Sequence, residues 1–206
     1  VHPNADEKLM AFHDSTLDRV TNYIGKIRNF TSQELKKIRV NDKFQIPFLE
    51  DLLDSFSQNY FSIDMKSDES VIPLIKLVRK MNAIDRVCFA SFNQQRLDYV
   101  REEFSNKCIS SMGPKEIVKT KLCSIFNIKH NVLPLISSLP IKRYKIELLN
   151  KKHVDFLKSL NIKVIAWTIN DANEITRLID LGVDGIMTDK ISALKEILIK
   201  KNLWQH

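Results

Sequence analysis

The sequence predicts an α/β fold in which parallel strands alternate with helices, and three observations predict it. Short apolar runs typical of buried strands are each followed by a stretch with the periodicity of an amphipathic helix. This alternation occurs six times after the first 45 residues, and parallel strands need such crossover helices. The 206 residues, 44% apolar and 28% charged, are enough for a continuous core in a globular protein.

The first 45 residues are predicted to be mostly loop. Residues 10–12 form a short apolar run, and Gly25 permits a turn. Thr31 and Glu34 have the spacing of a capping box, which predicts a short helix ending near residue 38. Residues 46–56 then predict the first long helix, because their apolar positions recur at helical spacing and a proline is tolerated in the first turn.

The six strand–helix pairs follow in order. The strands are expected at residues 60–65, 86–91, 107–111, 144–148, 163–168 and 185–188. The helices after them are expected at residues 69–81, 93–104, 115–122, 151–160, 172–181 and 193–200, with Gly113-Pro114 breaking the third strand. Residues 127–143 show no clear pattern.

Two architectures accommodate such units, an open doubly wound sheet and a (β/α)8 barrel. Neither G-x-G-x-x-G nor G-x-x-x-x-G-K-[ST] occurs, which disfavours the nucleotide-binding sheets. Polar or aromatic residues recur where the strands end, and a barrel brings those ends to one mouth. They are Asp64, Lys66, Ser91, Glu147, Trp167, Thr168 and Asp189. We therefore expect a (β/α)8 TIM barrel that, at about 30 residues per unit, lacks the first strand, the first helix and most of the second strand.

Charge and cysteine usage limit the class of protein. The net charge is +7, and residues 107–163 hold twelve Lys/Arg against three acidic residues. This patch fits either a nucleic-acid surface or a solvated lysine-rich face, and we favour the latter because no aromatic residues are interleaved with the charges. Cys88, Cys108 and Cys123 lack a C-x-x-C spacing, which favours reduced thiols and a cytoplasmic location. No apolar run reaches the roughly 18 residues of a membrane span.

The segment that begins at His13 is the candidate for chemistry. An imidazole and a carboxylate, Asp14, end the first apolar run, and residues 15–22 are rich in side chains that bond their own backbone. Such a loop can hold the imidazole in one orientation, whereas a surface histidine at a strand end is the alternative interpretation. Four further histidines are not grouped at ligand spacing, so no metal is assigned to them. They are His2, His130, His153 and His206.

Six segments, in order, resemble the glycerophosphodiester phosphodiesterase family. They are residues 13–22 (HDSTLDRVTN), 46–53 (IPFLEDLL), 63–66 (IDMK), 91–92 (SF), 167–170 (WTIN) and 182–189 (GVDGIMTD). The aspartate in IDMK and the segment SMGP at 111–114 are typical of one branch of that family. The resemblance implies a single, partial domain over residues 1–206. Residues 1–45 would then be the insertion after the second barrel strand, and residues 46–206 the third to eighth barrel units.

The resemblance also implies roles for individual side chains. His13 resembles the second of two catalytic histidines, and an imidazole exchanges protons near neutral pH. Asp64 resembles a ligand of a divalent metal, Mg²⁺ or Ca²⁺, which one carboxylate alone would hold poorly. Lys66 suits a phosphate oxygen or an ion pair with Asp64. Trp167 would line the substrate pocket or fill the barrel interior, and Arg19 would contact phosphate or the loop backbone.

The function implied is metal-assisted hydrolysis of glycerophosphodiesters to glycerol 3-phosphate and an alcohol, with histidine as general acid or base. The family's His-Arg-Gly and Glu-x-Asp motifs are not among these 206 residues. We therefore expect these residues alone to be inactive, and the alternative is a catalytically incomplete barrel that binds a phosphorylated ligand. Asp184 and Asp189 are expected to be structural, the latter as a cap of the last helix.

Overall fold

A computed structural model describes residues 1–204, so that His206 lies outside the described residues. The chain divides into a first unit, Val1–Gly113, and a second unit, Pro114–His206. Among the described residues, no helix combines the length and the apolar character that a bilayer crossing demands. The three cysteines form no disulfide; Cys88 is buried, and the other two are half-buried.

The first unit holds seven strands and four α-helices. Its strands are β1 His2–Pro3, β2 Leu9–Met10, β3 Arg39–Val40, β4 Phe44–Gln45, β5 Phe61–Asp64, β6 Val87–Ala90 and β7 Ile109–Ser110. Its α-helices are α1 Ser32–Leu35, α2 Leu49–Ser55, α3 Val71–Lys80 and α4 Gln94–Glu103. Short 3-10 helices lie at Ile27–Asn29, Asp68–Ser70 and Ile84–Arg86.

A parallel sheet in the order β5-β6-β7 forms the centre of the first unit. Helix α3 connects the first two of these strands and α4 connects the last two, as parallel pairing requires. The buried side chains of the sheet pack with those of the helices in one apolar cluster. Its members include Leu53, Ile63, Leu74, Val87, Phe89 and Leu97.

The segment before the parallel sheet has a small core of its own. Strands β1 and β2 pair antiparallel, as do β3 and β4. Thr31 and Glu34 form both hydrogen bonds of the predicted capping box at α1. Pro47 was expected in the first turn of the next helix, but it precedes α2, whose N-cap is Phe48. The core residues of this segment are Met10, Leu17, Ile27, Leu35, Ile38 and Ile46.

The described residues of the second unit form five strands and four α-helices. Its strands are β8 Ile136–Leu139, β9 Lys142–Arg143, β10 Ile146–Glu147, β11 Lys163–Ala166 and β12 Gly185–Ile186. Its helices are α5 Pro114–Phe126, α6 Lys151–Ser159, α7 Ala172–Leu181 and α8 Ile191–Lys200. Strands β8, β11 and β12 form a parallel sheet in the order β12-β11-β8.

The fourth parallel strand is not where the sequence pattern predicts it. Residues 144–148 were expected to form it, but β10 pairs antiparallel with β9, and the parallel strand is β8, in the stretch without a clear pattern. The reason is that β8 buries Ser137 beside Leu139, which weakens the apolar signal, whereas Tyr144 and Ile146 are β-forming residues exposed on the hairpin. Glu147 therefore does not follow a parallel strand.

Two helix boundaries also differ from the prediction. Pro114 begins α5 instead of only ending the preceding strand, and the helix continues to Phe126, because proline is favoured at the first helical position. Asp189 does not cap α8; its side chain accepts a hydrogen bond from Asn170 Nδ2 at 2.9 Å. Among the described residues there are six parallel strands, three in each unit, and a helix follows each of them; five of the strands lie within their predicted ranges, and the fourth does not.

Candidate active site

Three of the predicted site residues lie together in the first unit. Asp64 ends β5, and Lys66 follows two residues later on the same side, as the period of a strand requires. The Lys66 ammonium lies 2.9 Å from Asp64 Oδ2 and donates a long hydrogen bond of 3.5 Å to His13 Nε2. The half-exposed Phe92 ring lies 5.9 Å from the same ammonium. An imidazole, a carboxylate and an ammonium thus share one small region at the carboxyl end of β5.

Asp14 orients the imidazole of His13. His13 Nδ1 donates to Asp14 Oδ1 at 2.7 Å, while Arg19 Nε donates to Asp14 Oδ2 at 2.6 Å. Hydrogen bonds from Arg19, chiefly, and from His13 lower the pKa of Asp14 to about 2, so its carboxylate is charged at neutral pH. With Nδ1 protonated, the neutral ring has its lone pair on Nε2, on the side of Lys66. The His13 side chain is 76% exposed and therefore accessible to a ligand.

Arg19 pairs with a side chain of its own loop. The sequence left phosphate and loop backbone as its alternatives, and among the described residues its guanidinium contacts the Asp14 side chain. The reason is the loop itself, which brings Arg19 back to Asp14 five residues later. Arg19 thus acts on the imidazole through the intervening carboxylate.

His2 is a further member of the site that sequence reasoning missed. Its buried ring donates from Nε2 to the backbone oxygen of His13 at 3.2 Å, in the tautomer with the proton on Nε2. Burial, the largest effect, lowers the pKa of His2 below its usual value, which favours this neutral ring. No sequence signal marks this contact, because it depends on the antiparallel pairing of β1 with β2.

A pair of hydrogen bonds fixes the backbone between Asp64 and Lys66. Ser91 Oγ donates to the Met65 oxygen at 3.0 Å, and Arg96 NH1 donates to the same oxygen at 2.8 Å. Arg96 Nε also donates to Asp68 Oδ1 at 2.6 Å. Ser91 belongs to the SF segment of the sequence, whereas nothing in the sequence singled out Arg96. The residues that follow β5 and β6 are therefore hydrogen-bonded to each other next to the site.

Asp64 carries an oxygen atom that suits a metal cation. Its Oδ1 is buried, and no hydrogen-bond partner contacts it within the described chain. A carboxylate oxygen of this kind is a ligand that Mg²⁺ or Ca²⁺ accepts. Across residues 1–204, however, no three His, Cys, Asp or Glu side chains are grouped so that they could hold a metal. The described residues thus offer one metal ligand and not a complete set.

Trp167 lies in the second unit, directly after β11. It is half-buried, and its backbone nitrogen donates to the Leu139 oxygen at 3.0 Å. Three residues later, Asn170 Oδ1 accepts from Thr188 Oγ1 at 3.0 Å and from the Asp189 nitrogen at 2.9 Å. The WTIN and GVDGIMTD segments are therefore bonded to each other, a contact that sequence reasoning did not anticipate.

Comparisons with known proteins identify the relatives of this chain. A model of the glycerophosphoryl diester phosphodiesterase family matches residues 1–193. A glycerophosphodiester phosphodiesterase of Caldanaerobacter subterraneus is 27% identical over 210 residues, which cover 95% of this chain and 82% of that protein. Members of the family depend on a metal in general.

Two solved structures show the fold. A glycerophosphodiester phosphodiesterase of Agrobacterium tumefaciens superposes with a TM-score of 0.74 at 17% identity, over 96% of this chain and 83% of that one. A phosphodiesterase of Oleispira antarctica in complex with the product sn-glycerol-3-phosphate superposes with a TM-score of 0.73 at 18% identity, over 96% of this chain and 82% of that one. The predicted α/β barrel class is thereby confirmed. Because the family model matches nearly the whole chain, the chain belongs to the glycerophosphoryl diester phosphodiesterase family.

Proposed function

We propose that this protein hydrolyses glycerophosphodiesters to glycerol 3-phosphate and an alcohol. The observation that carries the proposal is the approach of His13, Asp64 and Lys66 to one another in a chain of this family. Overall, the oxygen of water is added to phosphorus, the bond from phosphorus to the alcohol oxygen breaks, and the alcohol leaves with a proton.

His13 moves a proton at Nε2 in this proposal. Asp14 holds the other ring nitrogen, so the lone pair of Nε2, which Lys66 contacts at 3.5 Å, accepts a proton first and then gives it to the leaving alcohol. Lys66 places a positive charge 3.5 Å from that nitrogen, where it attracts a phosphoryl oxygen of the substrate. Arg19 contributes through Asp14, as a residue that positions the imidazole.

A divalent metal would stabilise negative charge on the phosphoryl oxygens when bound. We propose Mg²⁺ or Ca²⁺, with Asp64 Oδ1 as one of its ligands. The other oxygen of this carboxylate, Oδ2, pairs with the Lys66 ammonium at 2.9 Å.

The remaining assignments rest on the resemblance of the sequence to the family. We propose Trp167 as a substrate-contacting residue, residues 1–45 as the insertion and residues 46–206 as the barrel units of one domain. A cytoplasmic location is supported by three free thiols. The expected partner is a small phosphodiester, not a nucleic acid.

The activity is tested with the full-length protein. The assay measures release of glycerol 3-phosphate from sn-glycero-3-phosphocholine, with and without a chelator. The His13→Ala variant should lose about 10²- to 10⁴-fold in kcat, the range for an acid–base residue. His130→Ala, which changes a histidine of the second unit, is the matched control and should retain the rate. An equal rate in the His13→Ala variant would move the chemistry to another residue.

The alternative function is binding without turnover, which is favoured by the lack of a complete metal-ligand set among the described residues. It predicts that glycerol 3-phosphate binds the full chain in a calorimetric titration while no substrate is cleaved at any metal concentration. Lys66→Ala should weaken that binding in either case. Cleavage that stops on chelation excludes the alternative.

A further inference from the structure

Helix α5 exposes its large apolar side chains and buries small polar ones. Val118, Leu122, Ile125 and Phe126 are each at least 50% exposed, whereas Thr120 and Ser124 are buried. An ordinary surface helix shows the reverse arrangement, with its apolar stripe against the core. The Oγ1 atom of Thr120 is buried without a hydrogen-bond partner within the described residues. This inversion indicates that the outer stripe has a use other than contact with water.

The exposed residues of α5 form one continuous stripe. At about 100° per residue, they fall within an arc of about 120°. Single exposed apolar residues are common on proteins, but a contiguous group on one face marks an interaction surface. The stripe also contains two exposed lysines, at its amino-terminal end. Its members are Lys115, Val118, Lys119, Leu122, Ile125 and Phe126.

The charge of the sequence segment that contains the stripe indicates which partner fits it. Residues 107–163 carry twelve Lys/Arg against three acidic residues, and Lys115 and Lys119 lie within the stripe itself. A second copy of this chain would bring like charges together. A nucleic acid would use stacking aromatic side chains, whereas Phe126 is the only aromatic residue of the stripe. A partner that is both apolar and negatively charged satisfies both halves of the surface.

We propose that the α5 stripe docks on the surface of a bilayer that contains anionic phospholipids. Leu122, Ile125 and Phe126 enter the boundary between headgroups and acyl chains, and the two lysines remain at the level of the lipid phosphates. The helix lies in the plane of the interface and does not cross it. The proposal does not depend on hydrolytic activity, because it concerns a face of the second unit that carries none of the residues proposed for proton transfer.

Co-sedimentation of the full chain with vesicles tests the proposal. One set of vesicles is phosphatidylcholine alone, and the other contains about one third phosphatidylglycerol. The protein should sediment with the anionic vesicles, much less with the neutral ones, and less again as salt increases. Substituting Lys115→Gln together with Lys119→Gln should lower the partition coefficient by about 30-fold, from the contribution of each lysine near an anionic surface.

The apolar half of the stripe has its own variant and control. Leu122→Ser with Phe126→Ser should reduce partitioning by about tenfold or more, because less apolar area leaves water. Ile191→Ser removes an isoleucine that is 73% exposed on α8, and it should bind as the unchanged protein does. Trp167 and Trp204 are the only tryptophans and both lie in the second unit, so their fluorescence shows whether each variant folds.

Several outcomes would overturn the proposal. Equal sedimentation with neutral and anionic vesicles would exclude recognition of anionic lipid. Lysine variants that retain full binding would also exclude recognition of anionic lipid. Sedimentation equilibrium that shows a dimer, lost in the Leu122→Ser/Phe126→Ser variant, would assign the stripe to a second copy of the chain instead. Binding to an oligonucleotide that the lysine variant abolishes, with no binding to vesicles, would assign it to nucleic acid.

Discussion

At the scale of single residues, Asp14 connects the imidazole to the rest of its loop. One carboxylate oxygen accepts from His13 and the other from Arg19. Because these contacts hold the pKa of Asp14 at about 2, its stabilising contribution is complete above its usual pKa near 3.8 and is lost only as the pH falls through about 2. The Asp14 carboxylate therefore stays charged at neutral pH and holds Nδ1 of His13.

Asp14→Asn should lower kcat about 10- to 100-fold while KM changes little. An amide keeps the shape but removes the charge, and its NH₂ group can face His13 Nδ1 and favour the wrong tautomer. Steady-state hydrolysis of sn-glycero-3-phosphocholine measures the split between kcat and KM. Asp18→Asn is the control, because Asp18 belongs to the same loop but accepts from the Gly25 nitrogen. A proportional rise in KM would indicate that Asp14 contacts substrate instead.

At the scale of elements, hydrogen bonds to the Met65 carbonyl connect the segments that follow β5 and β6. Ser91 comes from the end of β6 and Arg96 from α4, and both donate to that oxygen. The backbone that carries Lys66 is thereby fixed from two directions. Arg96 is a positioning residue in this view, since it has no contact with Asp64, His13 or Lys66 side chains among the described hydrogen bonds.

Arg96→Ala should raise KM about three- to tenfold with a smaller change in kcat, because Lys66 loses its fixed position but keeps its charge. Arg96→Lys restores a donor and should recover part of the loss, which a purely structural role in folding would not require. Arg28→Ala, which removes an exposed ion pair with Glu69 at 3.0 Å, is the control. Unchanged KM in the Arg96→Ala variant would show that Ser91 alone positions this backbone.

Helix α7 begins with a side-chain cap whose contribution can be measured. Asp171 Oδ1 accepts from the Glu174 nitrogen at 2.8 Å, which satisfies one of the free donors of the first turn. Asp171→Ala should lower the free energy of unfolding of the second unit by about 1 kcal/mol. Urea denaturation followed by tryptophan fluorescence reports on that unit, and Asn173→Ala in the exposed first turn is the control. Equal midpoints for the two variants would contradict the capping role.

At the scale of the whole molecule, a buried histidine links stability to pH. His153 donates from Nδ1 to the Leu148 oxygen at 2.8 Å, and burial is the main reason that its pKa is lowered to about 4. Between the usual value of 6.5 and about 4, the unfolded chain binds a proton that the folded chain does not. Acidification through this window therefore destabilises the fold, and the loss is complete below about 4.

We expect the free energy of unfolding to fall by about 3 kcal/mol across that window through His153. Urea titrations at successive pH values, followed by tryptophan fluorescence, measure it. His153→Gln keeps a donor in the same place but has no such titration, so its stability should depend less on pH. His130→Gln is the control. The same slope in the His153→Gln variant would assign the pH dependence to other groups.

How much the sequence predicts depends on whether a signal is local. Strand β5 alternates apolar and polar residues, β6 is a continuous apolar run, and α3 and α7 carry regular apolar spacing, so their positions follow from the chain alone. The position of β8 does not, because a buried serine interrupts its apolar pattern and an exposed hairpin nearby has the stronger strand propensity. The resemblance identifies the segments containing His13, Asp64, Lys66 and Trp167, whereas the contacts among the first three of these residues are visible only in the structure.

By itself, then, the sequence determined the alternation of strands and helices, the family and the residues with reactive side chains, because each of these can be recognised in a short segment of the chain. Tertiary structure alone decided that His2 bonds to His13, that Arg96 holds the Met65 carbonyl and that α5 turns its apolar side chains outward. These are contacts or exposures set by elements distant in sequence. The direction in which these side chains point depends on how strands pair and helices pack. Neither the two-residue period of a strand nor the 3.6-residue period of a helix encodes it.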